Sequence, residues 1–363
     1  MRKMNLLDLY TDYLLLSPSL KTATGLSALT DNKVSHDRIT RFLALEELSS
    51  KTLWLHVKPI YKQMEDNNAV LIVDDSIEEK KYTDKSPLIN WHYDHTEGRS
   101  VKGVNFISCI YHTPEINLPV AVEFVRKDQK VIDKKTGKQK DKSSKTKNEM
   151  FREMVKRCVF NGVKFGYVLF DSWFSSADNM NYIVNECKRH FITEIKENRL
   201  VALSEDDKKA GKFINIRSLE LEGVTRQVYI PQVDFPLLVT KQVFKNEDSS
   251  VGYCYLASDD LNLTYLPMTT IYKKRWKVEE YHQSLKSNAA FAKSPTKTEQ
   301  TQVSHFIASV LAYVKQEALR IRTQLNHYAM KTKIMLRANQ AAFAELQKLL
   351  TIETASFAKF CVR

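Results

Sequence analysis

The sequence holds 363 residues, with 55 Lys and Arg against 43 Asp and Glu, for a formal net charge of +12. That length exceeds one ordinary small domain and predicts two or three. No apolar run approaches the roughly 20 residues that span a bilayer, which excludes a helical membrane protein. The basic balance favours a polyanionic partner, because each Lys or Arg that neutralises a phosphate releases a counterion. Five cysteines (Cys109, Cys158, Cys187, Cys254 and Cys361) form no C-x-x-C pair, which argues against a disulfide framework and a zinc site and for a reducing compartment.

Residues 1–65 read as helical. The first twenty resemble a signal peptide in outline, but Asp8 and Asp12 interrupt the apolar stretch and no small-residue cleavage site follows, so an amphipathic helix is expected. Leu26 and Leu29, then Ile39, Phe42 and Leu43, recur at helical spacing around a break at Asp31-Asn32, with Ser35 as N-cap. Two short helices across a tight turn fit a helix-turn-helix-like unit with Arg38 and Arg41 on its second helix. A plain helical packing unit fits the same pattern.

Strand signals follow at 69–75, 101–112 and 118–125, an antiparallel meander whose first run ends in Asp74-Asp75. The Lys-rich segment 126–150, with Thr136-Gly137, reads as a solvated and partly disordered loop. NWHYDHTEG (90–98) reads as a loop above the first acidic pair. His92, His95 and His112 lack metal-motif spacing, so surface or packing roles are expected. A helix at 148–160 precedes the buried run 162–171, which ends in Asp171; a Ser-capped helix and a strand at 190–196 come next. Residues 197–264 alternate short β-like runs with polar turns and read as a β-rich insertion. Helix returns at about 266–288, then at about 297–322 and 331–350. Val303, Phe306, Ile307, Val310, Leu311 and Val314 mark amphipathic packing, either within the chain or in a dimer.

The segment YKKRWKVEEYHQSLK (272–286) carries the sharpest signal. On a straight helix, Tyr272, Arg275, Glu279, Gln283 and Lys286 share an arc of roughly 80° beside the apolar stripe of Ile271, Val278 and Leu285. A merely structural helix more often spreads such charges over its exposed side.

This segment resembles the Y-x2-R-x3-E-x6-K motif of bacterial insertion-sequence transposases of the IS-four-like group, with Tyr272, Arg275, Glu279 and Lys286 at the four positions and Trp276 after the arginine. The resemblance covers about residues 69–290. It implies an α/β, RNase H-like mixed-sheet catalytic core (66–196 and 265–295), interrupted by the insertion 197–264. Helical regions lie on either side, a DNA-binding one over 1–65 and another over 296–363. It further implies a DDE transposase that cleaves DNA at transposon ends and joins them to target DNA, in a cytoplasmic, nucleoid-associated setting. Its catalytic and metal-binding carboxylates would be Asp75, Asp171 and Glu279, with Asp74 the second choice for the first, around two Mg²⁺ (or Mn²⁺) ions. Tyr272, Arg275 and Lys286 would contact DNA beside the scissile phosphate. The implied partners are double-stranded DNA and a second copy in a synaptic homodimer, with no membrane.

Some relatives stack a flipped base on a tryptophan of the insertion. None of Trp54, Trp91, Trp173 and Trp276 lies there, so Tyr229, Phe235, Phe244, Tyr253 or Tyr255 would have to substitute. A catalytically silent DNA-binding remnant is the alternative. A glycosidase using an acid pair would leave the basic charge and the Arg and Lys beside Glu279 unexplained.

Overall fold

The computed structural model describes residues 5–360 except 17–20, 47, 96, 133, 135–136, 246–248 and 295, with the backbone alone over 351–360. Cys361, Thr136 and the two ends of the expected first helix lie outside the described residues.

Four helices come first: α1 (Leu6–Leu16), α2 (Ala23–Leu29), α3 (His36–Leu45) and α4 (Ser50–Gln63). Ser35 caps α3, its Oγ accepting from Arg38 N. Ile39, Phe42 and Leu43 turn inward, leaving Arg38 and Arg41 exposed. The strands β1 (Val70–Glu79), β2 (Asn90–Asp94), β3 (Arg99–His112) and β4 (Asn117–Phe124) follow. The segment 90–98, expected as a loop, therefore begins as a strand. Trp91 and Tyr93 point out while Asn90 and His92 are buried, an alternation that a short polar run conceals.

The Lys-rich segment contains the hairpin β5 (Gln129–Ile132) and β6 (Gln139–Lys142) rather than a structureless loop. Backbone pairing supports it, and Asp141 ties it to the body through Lys85 and through Asn90 Nδ2 at 3.1 Å. Next come α5 (Lys147–Phe160), β7 (Tyr167–Phe170), α6 (Ala177–Asn181) continuing as a π-helical turn (Tyr182–Glu186), and β8 (His190–Ile195). Thr146 and Glu149 form a capping box that starts α5.

The segment expected as an insertion divides in two. Its first part holds β9 (Leu200–Val201), α7 (Glu205–Lys209) and β10 (Ile214–Asn215), with β9 and β10 forming a small sheet of their own. Its second part, β11 (Arg226–Val228), β12 (Leu237–Lys245) and β13 (Val251–Ser258), joins the main sheet because β13 pairs with β8. The main sheet runs β11-β12-β13-β8-β7-β1-β3-β2, with β4 also on β3. It is mixed: β1, β7 and β8 are parallel, and the other pairings are antiparallel. β3 is long enough to hold β2 along its first half and β4 along its second. Gly103 lies where β3 passes β1, and a Cβ there would sit 2.2 Å from the Glu78 carbonyl oxygen.

The helix expected at 266–288 is broken. α8 (Tyr265–Lys273) passes through a 3-10 turn (Lys274–Trp276) into α9 (Lys277–Asn288). α10 (Glu299–Thr323) and α11 (His327–Phe360) complete the chain. α10 is buried on all sides from Thr301 to Val314, so its apolar spacing is satisfied within the chain. The N-terminal helices close over it: Tyr10 Oη lies 2.9 Å from His305 Nδ1, and Ser304 Oγ donates to the Glu46 carbonyl at 3.1 Å. Regions 1–65 and 296–363 thus share one core. Among the described residues no helix is long and apolar enough to cross a membrane.

Candidate active site

The C-terminal ends of β1 and β7 lie side by side at the middle of the sheet, a common site position in open α/β sheets. Parallel pairing sets Val70 beside Tyr167 and Ile72 beside Leu169, so the same register places Asp74 next to Asp171. Side chains alternate along a strand. Asp74 and Ser76 therefore share one face of β1, and Asp75 takes the other. On the first face packs α9, and Lys286 Nζ donates to Ser76 Oγ at 3.2 Å and to the Ile77 carbonyl at 3.1 Å. On the second, Asp75 Oδ2 accepts from Lys147 Nζ of α5 at 2.6 Å and from Asn105 Nδ2 at 3.1 Å.

Glu279, in the first turn of α9, lies on the Asp74 side. Arg275 in the 3-10 turn stands between the two carboxylates, 3.4 Å from Asp74 Oδ2 and 3.6 Å from Glu279 Oε1. Asp74, Asp75, Asp171, Arg275, Glu279 and Lys286 all line one cleft of about 570 Å³. Lys147 and Lys196 line it too, as does Trp173.

The electrostatics separate these acids. Burial, with repulsion from Asp171, holds the Asp74 carboxyl well above the usual carboxylate range. Arg275 relieves this only in part, and Glu279 and Asp75 add to it. Burial also raises Asp171, against the pull of Arg275 and of backbone N–H groups from Trp173 and Phe174 at its Oδ1, and repulsion from Asp75 adds to it. Burial opposes the charge of Arg275, yet Tyr272, Asp74, Glu279 and Asp171 together push it above its ordinary value. Asp74, Asp171 and Glu279 thus form a carboxylate cluster with one guanidinium among them, and Asp75 has a close counterion of its own.

Oxygen-rich clusters of this kind suit hard divalent cations. One candidate ligand set among the described residues is Asp74, Glu279 and His282, whose ligand atoms all lie within 4.8 Å of one another. His282 was missed in the sequence. Its signal, a His three residues after Glu279 on the same helical face, gains meaning only once β1 brings Asp74 to it.

The remaining expected residues are placed as follows. Tyr272 is buried and does not line the cleft, and its hydroxyl donates to the Phe170 carbonyl at 3.4 Å, next to Asp171. The straight-helix projection put it beside Glu279; the 3-10 turn between them changes that phase. Arg38 and Arg41 sit exposed on α3, and neither lines the cleft. Tyr229, Phe235, Phe244, Tyr253 and Tyr255 do not line it either, whereas Trp173 does, 45% exposed, with Lys147 over its ring and His95 beside it. His112 is tied to Asn117 by a 2.6 Å hydrogen bond, a packing role.

The chain matches two family models: "DDE superfamily endonuclease" over residues 1–211 and "Transposase DDE domain" over residues 129–315, each more than half of the chain. The chain belongs to the DDE superfamily, in which these models place it with endonucleases and transposases. No curated protein matches it. Among solved structures it is similar to the Drosophila P element transposase strand transfer complex, at 11% identity and a TM-score of 0.28, over 51% of this chain and 36% of that one.

Proposed function

We propose that the chain is a cut-and-paste transposase of the IS-four-like group. In this reading it cleaves DNA at transposon ends and joins the freed ends to target DNA. The core is read as RNase H-like, with β4-β3-β1-β7-β8 as its five strands and β11–β13 as an extension of its edge. The observation that carries the reading is the convergence of Asp74, Asp171 and Glu279 on one cleft with Arg275 among them and Lys147, Lys196 and Lys286 also in its lining. Asp74 replaces Asp75 as the first metal-binding carboxylate, because it shares a face with Asp171 and Glu279 while Asp75 is bound to Lys147.

Asp74, Asp171 and Glu279 would hold the divalent cations, expected as two Mg²⁺ or Mn²⁺. Bound there, such ions supply the positive charge that activates the attacking oxygen and stabilises the leaving 3′-oxygen. In the cleavage step the water oxygen bonds to the scissile phosphorus as the bond to the 3′-oxygen breaks, leaving a 3′-hydroxyl and a 5′-phosphate. That 3′-hydroxyl is the nucleophile for joining. Arg275 keeps three like charges together between turnovers. Lys286 braces the end of β1 through Ser76 and Ile77, so Asp74 stays in place. Lys147 and Lys196 on the walls offer point charges to the phosphate backbone. Tyr272 positions the Asp171 strand end from beneath rather than touching DNA. Arg38 and Arg41 contact the transposon end outside the cleft, and a second copy completes a synaptic homodimer.

The test is Mg²⁺- or Mn²⁺-dependent cleavage of a duplex carrying the terminal repeats that flank the chain's own coding sequence, with Glu279→Gln as control. Cutting at the repeat boundary that the substitution abolishes supports the reading. Binding without cutting in either metal would make the chain a silent remnant.

A further inference from the structure

Resting on that carboxylate site, we propose that His282 is a nitrogen ligand of the cation held by Asp74 and Glu279. The resulting mixed oxygen and nitrogen site favours Mn²⁺ over Mg²⁺.

His282 is 5% exposed, and its Nε2 is buried with no hydrogen-bond partner. Buried polar atoms are normally satisfied, so an orphaned ring nitrogen asks for a partner. One other buried histidine shows what full satisfaction looks like here. His305 uses both nitrogens, on Tyr10 Oη and the Ala290 carbonyl. His92 Nε2 and His327 Nε2 also lack a hydrogen-bond partner, but His92 belongs to no group of converging ligands among the described residues, and His327 Nε2 faces the Glu317 carboxylate at 2.8 Å. His282 does: its ligand atom lies within 4.8 Å of those of Asp74 and Glu279, and it lines the same cleft.

The ring is also positioned. It follows Glu279 by three residues on α9, so the two side chains share a face. Phe106 of β3 meets it edge to face at 5.4 Å, and Tyr281 packs at 5.3 Å. Imidazole is a ligand for first-row transition metals, whereas Mg²⁺ keeps to oxygen and water, so of the two ions considered the donor set favours Mn²⁺.

The experiment is pulsed EPR of Mn²⁺ bound to the full chain, prepared once at natural isotope abundance and once with ¹⁵N-histidine. Mn²⁺ and Mg²⁺ titrations of wild type, His282→Gln and Glu279→Gln run beside it. The proposal expects a ¹⁴N modulation that the label replaces with ¹⁵N, and its loss in His282→Gln. It also expects Mn²⁺ affinity to fall by about 10-fold or more in His282→Gln, with Mg²⁺ affinity changing far less. Bound Mn²⁺ with no nitrogen coupling, while Glu279→Gln still weakens it, overturns the His282 assignment and leaves the carboxylate site standing. Mn²⁺ binding that neither substitution alters overturns both.

Discussion

Asp74 and Asp75 are adjacent in the chain and opposite in circumstance. Both were visible in the sequence as a strand-end acidic pair, but no one-dimensional pattern says which face the rest of the site will occupy. The parallel register of β1 with β7, a pairing between segments about a hundred residues apart, sets Asp74 beside Asp171. His282 was invisible for a related reason, since a lone histidine gains meaning only when a second element brings carboxylates to it. Arg275 supports a prediction at this scale. It is the cation shared by Asp74 and Glu279, and its side chain is 18% exposed. Removing one partner of a buried charge cluster costs about 3–5 kcal/mol. Arg275→Ala should lower the thermal midpoint of the metal-free chain, and added Mn²⁺ should recover part of the loss. A midpoint unchanged in the absence of metal would show that Arg275 does not balance the cluster.

At the scale of elements, helices and buried strands were legible because their apolar periodicity is local. The β5–β6 hairpin and β2 were not, because polar strands on the periphery carry little alternation. The 3-10 turn at Lys274–Trp276 left no residue signature such as Pro or Gly. The junction of α9, α10 and α11 offers a pH prediction. Glu317, 2% exposed, accepts from Asn117 N at 2.9 Å, lies 2.8 Å from His327 Nε2 and pairs with Arg320 at 3.1 Å. Burial works against its charge, but these partners win and hold its carboxyl below the ordinary value. The stabilisation is therefore complete above the ordinary carboxylate value and is lost as pH falls through the depressed one. Midpoints measured from pH 7 downward should fall more steeply in wild type than in Glu317→Gln, and parallel curves would contradict the assignment. On α3, Arg38→Ala and Arg41→Ala should weaken binding to the terminal repeats. Each should reduce the slope of log K against log salt by about 0.9 if it contacts one phosphate. Unchanged slopes would remove α3 from the DNA interface.

For the whole molecule, the order of the helices and buried strands was readable from the chain, but the contacts that join its distant segments were not. The N-terminal helices and α10 interlock, and β11–β13 extend the main sheet; both depend on contacts between distant segments that composition cannot register. α11 makes a molecular-scale prediction. Leu336 and Phe343, seven residues apart, and Leu346 stand 56%, 63% and 50% exposed along one side of it. That heptad spacing is the seam a coiled coil buries. If a second copy covers it in the synaptic dimer, Phe343→Glu with Leu346→Glu should leave the fold intact by circular dichroism and shift the mass of the end-bound complex from two copies towards one. A doubly substituted chain that still pairs would place the dimer surface elsewhere.

The most direct test of the central claim compares wild type, Asp74→Asn and Asp75→Asn on the terminal-repeat duplex with Mn²⁺ and with chelator. The account predicts cutting by wild type only with metal. It predicts a loss of about 10²-fold or more in Asp74→Asn, the scale of removing a group that stabilises developing charge. Asp75→Asn should lose much less, with end binding retained in both. Cutting that survives chelation, or loss in Asp75→Asn with Asp74→Asn active, would contradict it.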